Sequence, residues 1–245
     1  MQMINIKYHS NIFLKYPMFI LYGFIALTIV NVIRAKKFNY TIFQAIVISI
    51  ITNIVAIFGA KMLFVIENIG SMSIKDSFFG GGVSFFGTVF FLPLGMLIVK
   101  KIFSNKDYSS GNYWITPVPL ELAIIRIGCF INGCCLGTFS SWGVHYFFDP
   151  IGTYRIPIQL IEAILDIGIV VILWLIEKNK LKINIYSIFM VMYSLIRLIM
   201  EFFRENSKNF LGLSNGQIFS LICLIIGGLI IMRDINKKGK KYEKN

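Results

Sequence analysis

Apolar residues fall in seven long blocks, at about 16–33, 41–66, 83–99, 114–132, 157–176, 183–203 and 215–232, separated by short polar stretches. A helix needs about 20 apolar residues to cross about 30 Å of hydrocarbon, and each block is long enough, or nearly so, when tilted or partly re-entrant. The pattern predicts an all-α polytopic membrane protein with about seven transmembrane helices in one integral domain, 1–245. A re-entrant or broken segment is expected after the fourth span. The loop at 133–156 carries Trp142, Tyr146 and Phe147 with little charge, which suits a segment lying against headgroups. The tail at 233–245 is polar and expected to be cytoplasmic and disordered.

Composition supports that reading. Apolar residues make up 56% of the 245 and charged residues 15%, against about 45–50% and about 25% in soluble domains. A soluble domain would lack the polar surface it needs. The net charge of +12 would favour nucleic acid only if a polar domain carried it. None is visible, so no nucleic-acid partner is expected. The apolar run Pro17 to Val32 is longer than a signal core, and no small-x-small site follows it.

The basic residues instead set orientation. Arg34, Lys36 and Lys37, then Lys100, Lys101 and Lys106, then Lys178, Lys180 and Lys182, then Arg233, Lys237, Lys238, Lys240, Lys241 and Lys244 fall on one side of the seven spans. Only Lys7, Lys15, Lys75, Arg155, Arg204 and Lys208 fall on the other. By the positive-inside rule the N-terminus is outside and the C-terminus cytoplasmic.

Three cations remain within the spans: Lys61, Arg126 and Arg197. Ionisable residues at that depth are costly and mark functional sites by default. At about 1.5 Å per residue, Lys61 lies about 31 Å along the second span and Arg197 about 22 Å along the sixth, so all three are expected in the outer half of the bilayer. That suits an anionic group arriving from the outer leaflet, with a phospholipid phosphate as the candidate. Acids accompany them. Tyr193, Arg197 and Glu201 recur at one helical face with Arg204 just beyond, and Gln159, Glu162 and Asp166 recur on the fifth span. Such stripes serve equally as structural ion pairs. An acid that orients an arginine still leaves donors free for a phosphate.

The stretch Arg126-Ile-Gly-Cys-Phe-Ile-Asn-Gly-Cys-Cys-Leu-Gly137 is irregular, with Gly128, Gly133 and Gly137 around Asn132. Such backbone is tolerated at membrane depth when buried or lining a wet cavity. Gly80, Gly81, Gly82, Val83 and Ser84 open the third span, where a helix N-terminus favours an anion. Glycines there also serve simply as a turn. Cys129, Cys134, Cys135 and Cys223 lack the paired spacing or histidine partners of a zinc site, so no metal is expected. The first three are packing residues, a disulfide, or thiols with a chemical role.

These motifs resemble the prolipoprotein diacylglyceryl transferase family over most of the chain. Arg126-Ile127-Gly128-Cys129-Phe130-Ile131-Asn132-Gly133 with Gly137 is similar to the family's signature around its essential arginine. Leu21-Tyr22-Gly23, Gly59-Ala60-Lys61, Gly81-Gly82-Val83-Ser84-Phe85 and Pro157 with Gln159, Leu160 and Glu162 follow in the family's order. So do Tyr193, Arg197, Glu201, Phe202 and Arg204, then Gly212-Leu213-Ser214 and Gly216-Gln217.

The resemblance implies a seven-span enzyme of the bacterial cytoplasmic membrane that needs no cofactor. It would move the diacylglyceryl group of phosphatidylglycerol to the lipobox cysteine of a prolipoprotein signal peptide, releasing glycerol phosphate. It implies Arg126 and Arg197 at the phosphate, Tyr193 and Tyr22 as hydroxyl donors, and Asn132 and Gly137 shaping the headgroup pocket. Lys61, Gly81, Gly82 and Ser84 would join in phospholipid binding, with Gln159, Glu162, Glu201 and Arg204 in support. Departures are specific: Phe86 and Ile156 stand where the family has histidines, Cys129 where it has asparagine, and Cys134 where it has an acid. His145 is a base candidate in the outer loop or a polar surface residue. Two other readings are a paralogue serving another acceptor and a non-catalytic lipid-binding or transport protein. Transport would favour paired broken repeats, and one broken span is visible.

Overall fold

Helix starts are written locally. Thr41 Oγ1 accepts from the Gln44 amide at 3.2 Å and Gln44 Oε1 accepts from the Thr41 amide at 3.0 Å, a reciprocal cap that starts α2 (Ile42–Glu67). Ser214 and Gln217 repeat the device at the start of α8 (Asn215–Tyr242), at 3.0 and 3.2 Å. Asn184 caps α7 (Ile185–Met200) by accepting from the amides of Tyr186 and Ser187. The other helices are α1 (Tyr16–Arg34), α3 (Ile74–Phe79), α4 (Phe85–Ile102), α5 (Val118–Asn132) and α6 (Ile158–Lys178). The computed structural model describes residues 4–6, 11–80, 82–103, 113–179, 183–205 and 212–242.

Among the described residues, six helices are long and apolar enough to cross a membrane: those beginning at Tyr16, Ile42, Phe85, Ile158, Ile185 and Asn215. The chain is an all-α polytopic membrane protein in its spans. Its surface agrees, since Ile33, Phe43, Ile54, Leu97, Ile164 and Ile225, spread along these helices, are all exposed, and lipid covers so much apolar surface without cost.

Three details differ from the hydropathy reading. The fourth block is helical over only 15 residues. Pro117 and Pro119 have no amide proton to give a preceding carbonyl, so the helix begins with them in its first turn rather than at 114. The polar tail is not disordered throughout, because α8 continues to Tyr242; Lys and Arg are good helix formers and suit a helix C-terminus. The loop after α5 folds into strands β2 (Phe139–Ser140), β3 (Val144–Tyr146) and β4 (Tyr154–Arg155), which pair with β1 (Ile4–Ile6) in the order β1-β3-β4-β2. Pairing satisfies backbone groups that would otherwise need water.

The chain divides into two compact units, Met1–Leu27 with Ile115–Asn245, and Thr28–Trp114. In the second, α2 packs on α4 through Gly59 and Gly87, where a Cβ on Gly87 would lie 2.0 Å from the Gly59 carbonyl. Helices in lipid gain little from apolar burial and rely on such close contact of small residues. In the first, α5 packs on α6, α6 on α7, and α7 on α8.

Candidate active site

The first unit gathers its charges onto one carboxylate. Glu162 on α6 has its Oε2 3.0 Å from Arg126 Nε on α5 and 2.9 Å from Arg204 Nη2, while its Oε1 lies 2.5 Å from Arg197 Nη1 on α7. Glu201, in the helical turn after α7, takes Arg197 Nη2 at 3.0 Å on Oε2 and the Ser214 hydroxyl at 2.8 Å on Oε1. Arg126, Glu162, Arg197 and Glu201 are all buried. Burying a lone charge is costly, and pairing repays that cost best where further hydrogen bonds use the remaining donors and acceptors.

Those donors are used unequally. Arg197 commits both terminal nitrogens, one to Glu162 and one to Glu201. Arg126 commits only its Nε, and neither of its terminal nitrogens has a partner among the described residues. Tyr193, 1% exposed and one turn before Arg197, lies beside the same charges. Asp166, one turn beyond Glu162, is buried with neither carboxyl oxygen hydrogen-bonded among the described residues. Beyond the end of α7, burial and the neighbouring Arg197 lower the proton affinity of Arg204, against the pull of Glu162.

A clamped loop borders this cluster. Gly133 closes α5 in the left-handed region at φ 62°, and the Cys134 amide returns to the Cys129 carbonyl at 3.1 Å. Gln159 Nε2 then donates to the Cys134 carbonyl at 2.8 Å. The stretch that follows lies against the segment after α7, with Thr138 N to Phe203 O at 2.9 Å and Glu205 N to Leu136 O at 3.1 Å. Between these bonds Gly137 pairs with Arg204, and a Cβ on Gly137 would lie 2.2 Å from the Ile156 carbonyl. Arg155 locks the outer side: its Nε lies 2.9 Å from both Asp149 oxygens, and its Nη1 reaches Glu205 at 2.5 Å and the Gly137 carbonyl at 3.1 Å. Burial opposes that charge, but Asp149 and Glu205 raise the proton affinity of Arg155 above an ordinary arginine's.

The structure therefore brings together Arg126, Gln159, Glu162, Tyr193, Arg197, Glu201, Arg204 and Gly137. Asn132 ties α5 to the start of α1, accepting from the Tyr16 amide at 3.2 Å and donating to the Leu14 carbonyl at 2.8 Å. Tyr22 donates to the Phe13 carbonyl at 3.2 Å, so its hydroxyl, with one proton, offers another group only lone pairs in this arrangement. Lys61, Gly82 and Ser84 belong to the second unit. There Lys61 donates to the Gly80 carbonyl, Ser84 donates to Glu67 Oε1 at 2.8 Å, and Gly82 lies against the Phe64 ring. Gly81 lies outside the described residues.

Sequence reasoning counted Arg155 only as an outer-loop charge. Its partners Asp149 and Glu205 lie 6 and 50 positions away, and no helical spacing connects them. Cys129, Cys134 and Cys135, for which the sequence left packing, a disulfide or a chemical role open, are three free thiols that meet where the chain reverses after α5. His145 places Nδ1 2.9 Å from the Thr153 carbonyl. A carbonyl only accepts, so Nδ1 is the donor in this contact.

The family model for prolipoprotein diacylglyceryl transferase matches residues 5–233. The chain belongs to the prolipoprotein diacylglyceryl transferase family. It is 30% identical over 230 residues to the phosphatidylglycerol–prolipoprotein diacylglyceryl transferase 2 of Clostridium perfringens (strain 13 / Type A), covering 89% of this chain and 90% of that one. The Clostridium tetani (strain Massachusetts / E88) transferase is 29% identical over 239 residues, 91% of this chain and 94% of that one. The Pasteurella multocida (strain Pm70) transferase is 35% identical over 176 residues, 66% and 63% of the two chains.

Proposed function

We propose that this membrane transferase binds the phosphate of phosphatidylglycerol at Arg126 and moves the diacylglyceryl group to the lipobox cysteine of a prolipoprotein signal peptide. Family membership supports the reaction class. One observation carries the site: Arg126 is buried, fixed through Nε by Glu162, and keeps both terminal nitrogens without a partner among the described residues. That is the planar fork a phosphate takes in a bidentate way.

In the reaction the substrate thiolate forms a C–S bond at the glyceryl carbon, and the C–O bond to phosphate breaks. The electron pair leaves on the phosphate oxygen, and the thiol proton passes to solvent or a base. The leaving monoester carries more charge than the diester it came from, so a fixed guanidinium binds the late transition state more tightly than the substrate. Three guanidiniums gather around Glu162 and Glu201, with the Asp166 carboxyl buried beside them. Arg197 and Arg204 hold Glu162 and contribute field rather than direct contact. Tyr193 supplies a hydroxyl donor beside them, and Gln159, Asn132 and Gly137 hold the loop that borders the headgroup.

The reading places the site toward the outer leaflet of a bacterial cytoplasmic membrane, with the N-terminus outside, in keeping with the Lys and Arg distribution. It rests on the first unit alone. Purified protein, phosphatidylglycerol and a lipobox peptide are to be combined and the peptide examined by mass spectrometry. A diacylglyceryl adduct is expected. Its absence under conditions where the Clostridium perfringens relative works would sink the reading.

A further inference from the structure

Beside the arginine cluster, three cysteines converge. Cys129 sits in the last turn of α5, and Cys134 and Cys135 follow its glycine cap. All three sulfurs lie within 4.8 Å of one another, and all three are free thiols. The chain would not bring them together by spacing alone. Gly133 and Cys135 both take left-handed backbone, at φ 62° and 55°, a conformation that residues with a β-carbon rarely adopt. The Cys134 amide and thiol both turn back to the Cys129 carbonyl, and Gln159 holds the Cys134 carbonyl.

We propose that Cys129, Cys134 and Cys135 form a three-sulfur binding site for a soft, thiophilic closed-shell cation, with Cu(I) the ion it fits. Metal–sulfur bonds of about 2.3 Å place three sulfurs of a planar site about 4 Å apart, so binding needs a contraction of no more than about 1 Å. Thiolates select Cu(I) by softness. Closed zinc sites take four ligands, and among the described residues no histidine or carboxylate joins this group. Charge favours the same choice. Three thiols release their protons to solvent as the cation binds, leaving a complex of charge minus two, and Arg126 and Arg204 are the cations whose field reaches Cys135. The site is also reachable: Cys129 is buried, Cys134 half-buried and Cys135 exposed, so an ion is captured at Cys135 and passed inward.

The site stands whether or not the transferase reading does, and its test reads metal directly. The full chain in detergent, reduced and free of oxygen, is titrated with Cu(I) against the chromophoric chelator bicinchoninate, with metal content measured on the desalted protein. One Cu(I) per chain is expected. Cys135→Ser should weaken binding at least tenfold, and Cys134→Ser likewise, whereas Cys223→Ser on α8 should leave it unchanged. Cys135 is exposed, so its replacement leaves the fold intact, and a matched thermal melt verifies this. Binding below half an equivalent, equal affinity in Cys135→Ser, or displacement of Cu(I) by equimolar Zn(II) would overturn the proposal.

Discussion

Arg126 and Glu162 meet through a single nitrogen: Nε lies 3.0 Å from Oε2, and the terminal nitrogens of Arg126 have no partner among the described residues. The carboxylate thus aims the guanidinium without consuming its fork. Arg126→Lys keeps the charge and loses both the Nε contact and the bidentate face. We expect transfer to fall at least 100-fold, about 3 kcal/mol in the transition state. The loss should appear in kcat, because the interaction strengthens as the monoester forms. Phe86→Ala, a truncation in the second unit at a side chain 3% exposed, should cost stability while each folded molecule keeps most of its turnover. Equal turnover loss in both variants would discredit the assignment.

Glu162 is the common partner of three arginines. Glu162→Gln removes the negative charge and leaves like charges buried together. Breaking a buried ion pair in this way costs about 3–5 kcal/mol, so the melting temperature in detergent should drop by several degrees and transfer should be lost. A variant that melts like the parent would show that Glu162 does not hold the cluster.

Two glycines make a matched pair. A Cβ on Gly137 would lie 2.2 Å from the Ile156 carbonyl, whereas one on Gly168, within α6, meets nothing within 4 Å. Gly137→Ala must push this stretch off its contact with Arg204, and both stability and transfer should fall. Gly168→Ala should be neutral or stabilising by up to about 1 kcal/mol, the helix preference of alanine over glycine. Melts of the two variants side by side decide the matter.

The clamp of Arg155 has a defined pH behaviour. Its folded-state proton affinity is raised, so the stability it contributes is complete below the unfolded value and is lost only as pH climbs through the folded one. Both lie far above neutral pH. Between about pH 6 and 9 the protection of the Thr138 and Ile156 amides, measured by hydrogen exchange, should therefore follow intrinsic exchange chemistry alone. Asp149→Asn removes the paired acceptor, and the same amides should exchange at least tenfold faster at every pH. An unchanged rate would show that the ion pair does not hold the loop.

Long apolar runs, capping pairs and the stripe from Tyr193 to Arg204 could be read directly along the chain. Each depends on neighbours within a few turns: Thr41 caps with Gln44, and Arg197 pairs with Glu201 four residues on. The late start of α5 and the persistence of α8 were less legible, because proline position and a cationic helix end override simple hydropathy. The strands after α5 carry too few residues for a period to register.

The sequence by itself determined that the chain is a membrane protein of apolar helices and that Arg126, Glu162 and Arg197 are charges set within them. The reason is the bilayer, which makes every intramembrane charge expensive and so informative. Only the tertiary structure decided which partner each charge takes. It joined Arg126 to Glu162 across two helices, set Arg155 between Asp149 and Glu205, and folded Cys129 back onto Cys134 and Cys135. Those relations depend on where chain reversals and helix crossings place side chains far apart in sequence, and no local periodicity encodes them.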